Sequence, residues 1–278
     1  MNNPLSFSSV KLDLFSRDGV RLKPASGFVV EAGNHYYLIT NWHVVSGRDI
    51  HTDEQQESIV KPCTVKTSVH IRGVAGEKND VFSVGARKKI TVQLYDDNDS
   101  PRWIELPTRE KNQHMVDIVA LPFQMNLTLK LFSGKIPGIT VYKDSWEENT
   151  DYWTKISAIP VSAIDTDVEY GPPDTVHVIG YPLGWKPDGA DRTSSGFWRT
   201  GFIASEIYEP GMRRADTFFI DPCAPEGMSG SPVVGMKNNR MKLLGVYSDR
   251  PTAEFGANVG LVYGAWLVKQ LIHASTEP

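Results

Sequence analysis

The stretch SGFVVEAGNHYYLITNWHVV, residues 26–45, decides the fold. Phe28–Glu31 and His35–Thr40 are runs rich in β-branched and aromatic residues, and Gly33-Asn34 between them is a turn pair of the kind that closes a β-hairpin. The same texture recurs in DIVALPF, TVHVIGYP, RTGFIAS, DTFFID, SPVVGM, MKLLGVYS and NVGLVY, each bounded by Gly, Asn, Asp or Pro. Short apolar runs repeated at this spacing predict an all-β barrel or sandwich. Asn238-Asn239 predicts a second hairpin. The one persuasive helical pattern is C-terminal, where Trp266, Leu267, Leu271 and Ile272 share a face.

Composition narrows the partners. Among 278 residues, 29 Lys and Arg stand against 33 Asp and Glu, a net charge of −4. No field of one sign points to nucleic acid. With 40% hydrophobic and 22% charged residues, the chain can bury a real core and forms one or two domains. Cys63 and Cys223 are too sparse for a disulfide framework, so a reduced, cytoplasmic setting is expected. The first residues do not make a secretory signal, and no apolar stretch approaches the ~18 residues that span a membrane. The seven histidines form no close ligand pair with cysteine, and phosphate loops and dinucleotide fingerprints are absent. Neither metal nor cofactor is expected.

Residues 48–112 are more polar and read as strands carrying long surface loops. Their basic triplet Arg87, Lys88 and Lys89 reads as a solvated face. The Gly- and Pro-punctuated stretch at 135–150 is the expected connection between two lobes, which sets the division at 1–140 and 141–278.

Three patterns carry chemistry: TNWHVV at 40–45, VDIVAL at 116–121 and PEGMSGSPVV at 225–234. Each alone has an ordinary structural explanation, with His43 a core histidine, Asp117 a strand cap and Ser229 a turn residue. Together they supply what serine chemistry needs. A serine hydroxyl is a poor nucleophile that requires a base within hydrogen-bond reach, and the base requires a group that holds its tautomer. Glycine at Gly227 and Gly230 lets the backbone turn tightly enough for the Gly227 and Ser229 N–H groups to converge on one point.

The order His43, Asp117, Ser229 with these motifs resembles the trypsin-like serine peptidases of chymotrypsin fold. The closer likeness is to the bacterial high-temperature-requirement branch, over roughly residues 25–45, 115–123 and 175–275. The resemblance implies two six-stranded antiparallel β-barrels with a C-terminal α-helix, the first carrying His43 and Asp117 and the second Ser229. It also implies protein or peptide substrates, Ser229 as nucleophile, His43 as base, Asp117 as its orienter, and an oxyanion hole at Gly227 and Ser229. By the same likeness, Tyr247, Ser248 and Asp249 lie on the strand that pairs with substrate, with Ser248 near Asp117. Cys223, Ala224, Ser248, Asp249, Arg250 and Gly260 bound the primary pocket.

Departures from the pattern matter. The pocket-floor position is Cys223 rather than an Asp, which favours a small or medium apolar residue over Lys or Arg. Cys223 itself reads as a buried thiol, and Arg250 as either a solvated turn residue or the mark of an acidic preference. Met228 stands where zymogens of the fold carry an aspartate, so the oxyanion turn must form without that ion pair. Insertions at 48–110 and 184–196 are the expected sites of substrate selection. Such a peptidase in the cytoplasm is expected to be selective or held by a regulatory protein partner. The alternatives are a catalytically silent binding protein on the same fold, and an esterase or acyltransferase, for which the strand–turn–helix elbow is missing.

Overall fold

The computed structural model describes residues 4–50, 60–75, 80–106, 116–124, 152–164, 170–184, 196–207, 215–221, 224–237, 239–248 and 258–274. A short helix α1 (Pro4–Ser8) leads into β1 (Ser9–Phe15) and then into β2 (Ala25–Ala32) and β3 (His35–Thr40). These last two form the hairpin read from residues 26–45, with Ala32 opposite His35 and Gly33 at φ +60°. A one-turn helix α2 (Trp42–Ser46) follows at once. Next come β4 (Thr64–Ala75), β5 (Asp80–Gln93), β6 (Val119–Phe123), β7 (Tyr152–Ile156) and β8 (Ile159–Pro160).

These strands make one eight-stranded sheet with the order β5-β4-β1-β2-β3-β6, to which β7 adds on β4 and β8 on β2. The second half contains β9 (Thr175–Gly180), β10 (Phe197–Ile203), β11 (Thr217–Asp221), β12 (Pro232–Lys237), β13 (Arg240–Tyr247), β14 (Gly260–Gly264) and α3 (Ala265–Ala274). Here six antiparallel strands close into a barrel in the order β10-β11-β14-β13-β12-β9.

The all-β double-lobe architecture expected from the sequence is present, with one difference. The N-terminal sheet curls without closing among the described residues, because β4 and β5 form a long ribbon and β4 gives its other edge partly to β7. Since β7 and β8 pair with that sheet, it extends past the 140/141 division, while the connection expected at 135–150 lies outside the described residues. The hairpin predicted at Asn238-Asn239 joins β12 and β13, with Lys237 opposite Arg240 and Asn239 at φ +58°; Asn238 lies outside the described residues. Lys88 and Lys89 of the basic triplet are exposed on β5.

Alternation along β2 and β3 explains why their apolar runs are unbroken. Side chains point to opposite faces at every step, and here both faces are covered. Val29 and Leu38 join Leu12, Val65 and Leu121 inside the N-terminal lobe. Phe28, Val30 and Ile39 join Ile179, Val234, Leu243 and Val246 of the barrel. Leu267, Val268, Leu271 and Ile272 of α3 complete that shared cluster, while Trp266 is only partly buried. Burying such a side chain contributes roughly 1.5–3 kcal/mol, so this layer holds the two lobes against each other. No helix among the described residues is long and apolar enough to cross a membrane.

Candidate active site

The register of β3 on β6 brings the first two candidate residues together. Thr40 lies opposite Val119; Trp42 and His43 follow the first strand just where Asp117 precedes the second. Asn41 is the N-cap of α2 but gives α2 no side-chain cap. Its amide instead donates to the Asp117 carbonyl at 2.6 Å. Gly47 ends the helix at φ +69°, donating its N–H to the His43 carbonyl. His43 is thereby fixed in a five-residue helix with its side chain 20% exposed.

Asp117 is 1% exposed, and its carboxylate accepts three hydrogen bonds. Oδ1 takes the His43 backbone N–H at 2.9 Å, and Oδ2 takes His43 Nδ1 at 2.7 Å and the Ser248 hydroxyl at 2.5 Å. An ionised carboxylate only accepts. With the carboxylate as acceptor, the ring proton lies on Nδ1. Ser248 follows β13, so the barrel lobe supplies the third donor. Tyr263 on β14 also reaches this group, and burial, reinforced by the Asp117 charge, pushes its phenol well above the ordinary range.

Ser229 sits in two consecutive turns. In the first, Met228 N–H bonds the Pro225 carbonyl at 3.2 Å with Gly227 at φ +90°. In the second, Ser231 N–H bonds the Met228 carbonyl at 3.0 Å with Gly230 at φ +85°. An i→i+3 bond with positive φ at the third residue is the type II arrangement, which selects glycine there. The second turn is tied to both lobes: Ser229 C=O accepts Ser26 N–H from β2 at 3.0 Å, and Gly230 N–H donates to Tyr247 C=O at 2.8 Å. Thr40, three residues before His43, donates its hydroxyl to Ser26 C=O at 2.9 Å. The Ser229 turn thus rests on the strand pair that carries His43, beside the Ser248 that touches Asp117.

Within residues 227–231, backbone accounting singles out two groups. Buried N–H groups are almost always paired, and Met228, Gly230 and Ser231 are. Among the described residues, the N–H groups of Gly227 and Ser229 have no backbone acceptor. They are the two expected at the oxyanion position.

Of the pocket candidates, Ala224, Tyr247 and Gly260 come together. The Tyr247 phenol accepts Ala224 N–H at 2.9 Å and donates to Ala224 C=O at 3.2 Å. Its ring lies over Gly260, where a Cβ would be 2.5 Å from Tyr247 Cε2. Cys223, Asp249 and Arg250 lie outside the described residues, as does most of the 184–196 insertion. Sequence reading passed over Ser26, Thr40, Asn41, Leu183 and Tyr263. Only Thr40 and Asn41 carried a local signal, as neighbours within TNWHVV.

A family model for the trypsin-like peptidase domain matches residues 25–246. No curated protein matches the chain. Among solved structures, an inactive mutant form of Rv3671c from M. tuberculosis H37Rv is similar over 100% of this chain and 93% of its own, at 16% identity and a TM-score of 0.47. The serine endoprotease from Yersinia pestis is similar over 97% of this chain and 62% of its own, at 14% identity and a TM-score of 0.47. The active form of the Rv3671c protease from M. tuberculosis is similar over 97% and 81%, at 15% identity and a TM-score of 0.44.

Proposed function

The chain belongs to the trypsin-like peptidase domain family, and from that premise we propose that it is a serine endopeptidase working through Ser229, His43 and Asp117. Ser229 Oγ attacks the scissile carbonyl carbon while its proton passes to His43 Nε2. The tetrahedral oxyanion is met by the N–H groups of Gly227 and Ser229, where losing one donor typically costs about 10²–10³ in turnover. The C–N bond then breaks as His43 returns the proton to the leaving amine. Water repeats the sequence on the acyl-enzyme and releases the acid. Asp117 keeps the ring proton on Nδ1 throughout and stabilises the imidazolium.

The observation that carries this reading is that, within residues 227–231, the N–H groups of Gly227 and Ser229 on either side of Met228 have no backbone acceptor among the described residues, whereas those of Met228, Gly230 and Ser231 do. A silent binding protein has no use for that pair, and the grip of Asp117 on His43 equally favours catalysis. Tyr247 over Gly260 favours a shallow primary pocket and a small apolar residue before the cut. Sparse cysteine favours a reduced, cytoplasmic setting, in which narrow substrate choice or a regulatory protein partner restrains the enzyme. Sustained digestion of casein by the purified protein would contradict that restraint.

Fluorophosphonate labelling tests the triad. Wild type is expected to label, and Ser229→Ala and His43→Ala to lose labelling while staying folded. Folded wild type that stays unlabelled, alone and with cell extract, would leave the silent binding protein as the better reading.

A further inference from the structure

A type II turn has a near neighbour. Rotating its central peptide by about half a turn gives the type I form with the same i→i+3 bond, and glycine at the third position tolerates both. For Pro225–Met228 that central peptide joins Glu226 to Gly227. A trans peptide points its C=O and N–H in opposite directions, so whatever holds the Glu226 carbonyl also aims the Gly227 N–H. In the rotated form a carbonyl would occupy the place of the donor and repel an oxyanion.

Two contacts from outside the turn select the form observed. Leu183 N–H donates to the Glu226 carbonyl at 2.7 Å, which turns Gly227 N–H away from the 182–184 segment. Leu183 adopts φ +49° to do so, a left-handed conformation that costs a leucine roughly 1–2 kcal/mol. Ser26 joins that segment to the turn: its hydroxyl accepts Tyr181 N–H at 2.9 Å and donates to the Gly227 carbonyl at 2.8 Å. The hydroxyl proton is given to the Gly227 carbonyl while the oxygen accepts from Tyr181. Ser26 is fully buried, and Met228, buried at the centre of the turn, has a side chain that can form no ion pair to do the same work.

We propose that Ser26 is a positioning residue for the oxyanion site: its hydroxyl docks Tyr181–Leu183 onto the nucleophile turn and so keeps the Glu226–Gly227 peptide in the donor-out form. The proposal rests on the endopeptidase reading above. It replaces an ion pair by two neutral hydrogen bonds contributed by β2 and by the segment after β9. The oxyanion site is therefore sensitive to anything that moves residues 181–183.

The test compares fluorophosphonate labelling rates, their pH profiles and Tm for wild type and for Ser26→Ala, Ser26→Thr and Ser26→Val. Threonine and valine have nearly the same shape and differ by the hydroxyl. Ser26→Ala and Ser26→Val are expected to label 10–100-fold more slowly, with the pH midpoint unmoved because His43 and Asp117 are untouched, while Ser26→Thr stays within about threefold of wild type. Labelling of Ser26→Ala within threefold of wild type overturns the proposal. So does equal slowing of Ser26→Thr and Ser26→Val with an equal fall in Tm, which would make Ser26 a packing residue only. Should Ser26→Ala fail to fold, the threonine and valine pair decides. Wild type that does not label, or labels without Ser229, removes the endopeptidase reading itself and this proposal with it.

Discussion

Asp117 holds His43 at two points, the backbone N–H through Oδ1 at 2.9 Å and the ring Nδ1 through Oδ2 at 2.7 Å. The double contact fixes helix α2 and the tautomer together. Asp117→Asn keeps the volume but puts a donor where only an acceptor serves, so the ring turns or changes tautomer and Nε2 loses its lone pair. Turnover is expected to fall by about 10³–10⁴, with fluorophosphonate labelling falling in parallel and far-ultraviolet circular dichroism unchanged. Retention of more than a tenth of the activity would remove Asp117 from the role proposed for it.

Tyr247 closes the space beneath Gly260 and Ala224. Tyr247→Val opens that space, and peptide-library profiling is expected to show a shift from small apolar residues toward larger ones before the scissile bond. Tyr247→Phe keeps the ring and breaks both bonds to Ala224, so preference should stay while stability drops by roughly 1–3 kcal/mol from an unpaired buried N–H and C=O. A Tyr247→Val profile identical to wild type would place the primary pocket elsewhere.

How much of this was legible beforehand follows from distance along the chain. The β2–β3 hairpin, the face of α3 and the motifs around His43, Asp117 and Ser229 announce themselves within a dozen residues, since turn chemistry and side-chain periodicity are local. The support of the oxyanion turn is not local: Ser26 meets Tyr181 across 155 positions and Gly227 across 201. A lone serine before a glycine carries no trace of those partners. Leu183 contributes only its backbone, which no side-chain pattern can report. The pairing of β7 on β4 and of β8 on β2 is non-local in the same way, since each joins strands far apart in the sequence.

Two glycines with positive φ make a controlled comparison. A Cβ on Gly230 would lie 2.2 Å from the Ser26 carbonyl oxygen and 2.4 Å from Thr40 Oγ1, whereas a Cβ on Gly33 would meet nothing within 4 Å. Gly33→Ala therefore carries only the backbone penalty of a left-handed residue, roughly 1–2 kcal/mol. Gly230→Ala adds a clash with backbone that cannot move without separating β2 from the Ser229 turn. It is expected to lower Tm much further than Gly33→Ala and to abolish labelling, whereas Gly33→Ala keeps its labelling rate. Equal thermal shifts in the two variants would contradict this packing.

His70 gives the fold a measurable acid sensitivity. It lies on β4 opposite Arg87 of β5, 8% exposed, with its ring 4.8 Å from that of Phe7. Burial, and then the Arg87 charge, push its pKa from 6.5 down to about 3. Below pH 6.5 the unfolded chain takes up a proton that the folded chain refuses, so stability is constant above that value and falls as pH drops toward 3. At pH 5 the unfolded group lies about 1.5 pH units into its titration, which corresponds to roughly 2 kcal/mol. Asp13, whose burial is outweighed by its ion pairs with Lys11 and Arg21, which hold its carboxyl low, adds its own loss only near and below its ordinary value of 3.8. Thermal melts of wild type are thus expected to drop by roughly 4–8 °C between pH 7 and pH 5. His70→Leu shifts the absolute Tm through packing but should flatten the slope in that window and keep the steeper loss below pH 4. A slope between pH 7 and pH 5 that is the same in both proteins would show that His70 is not the group responsible.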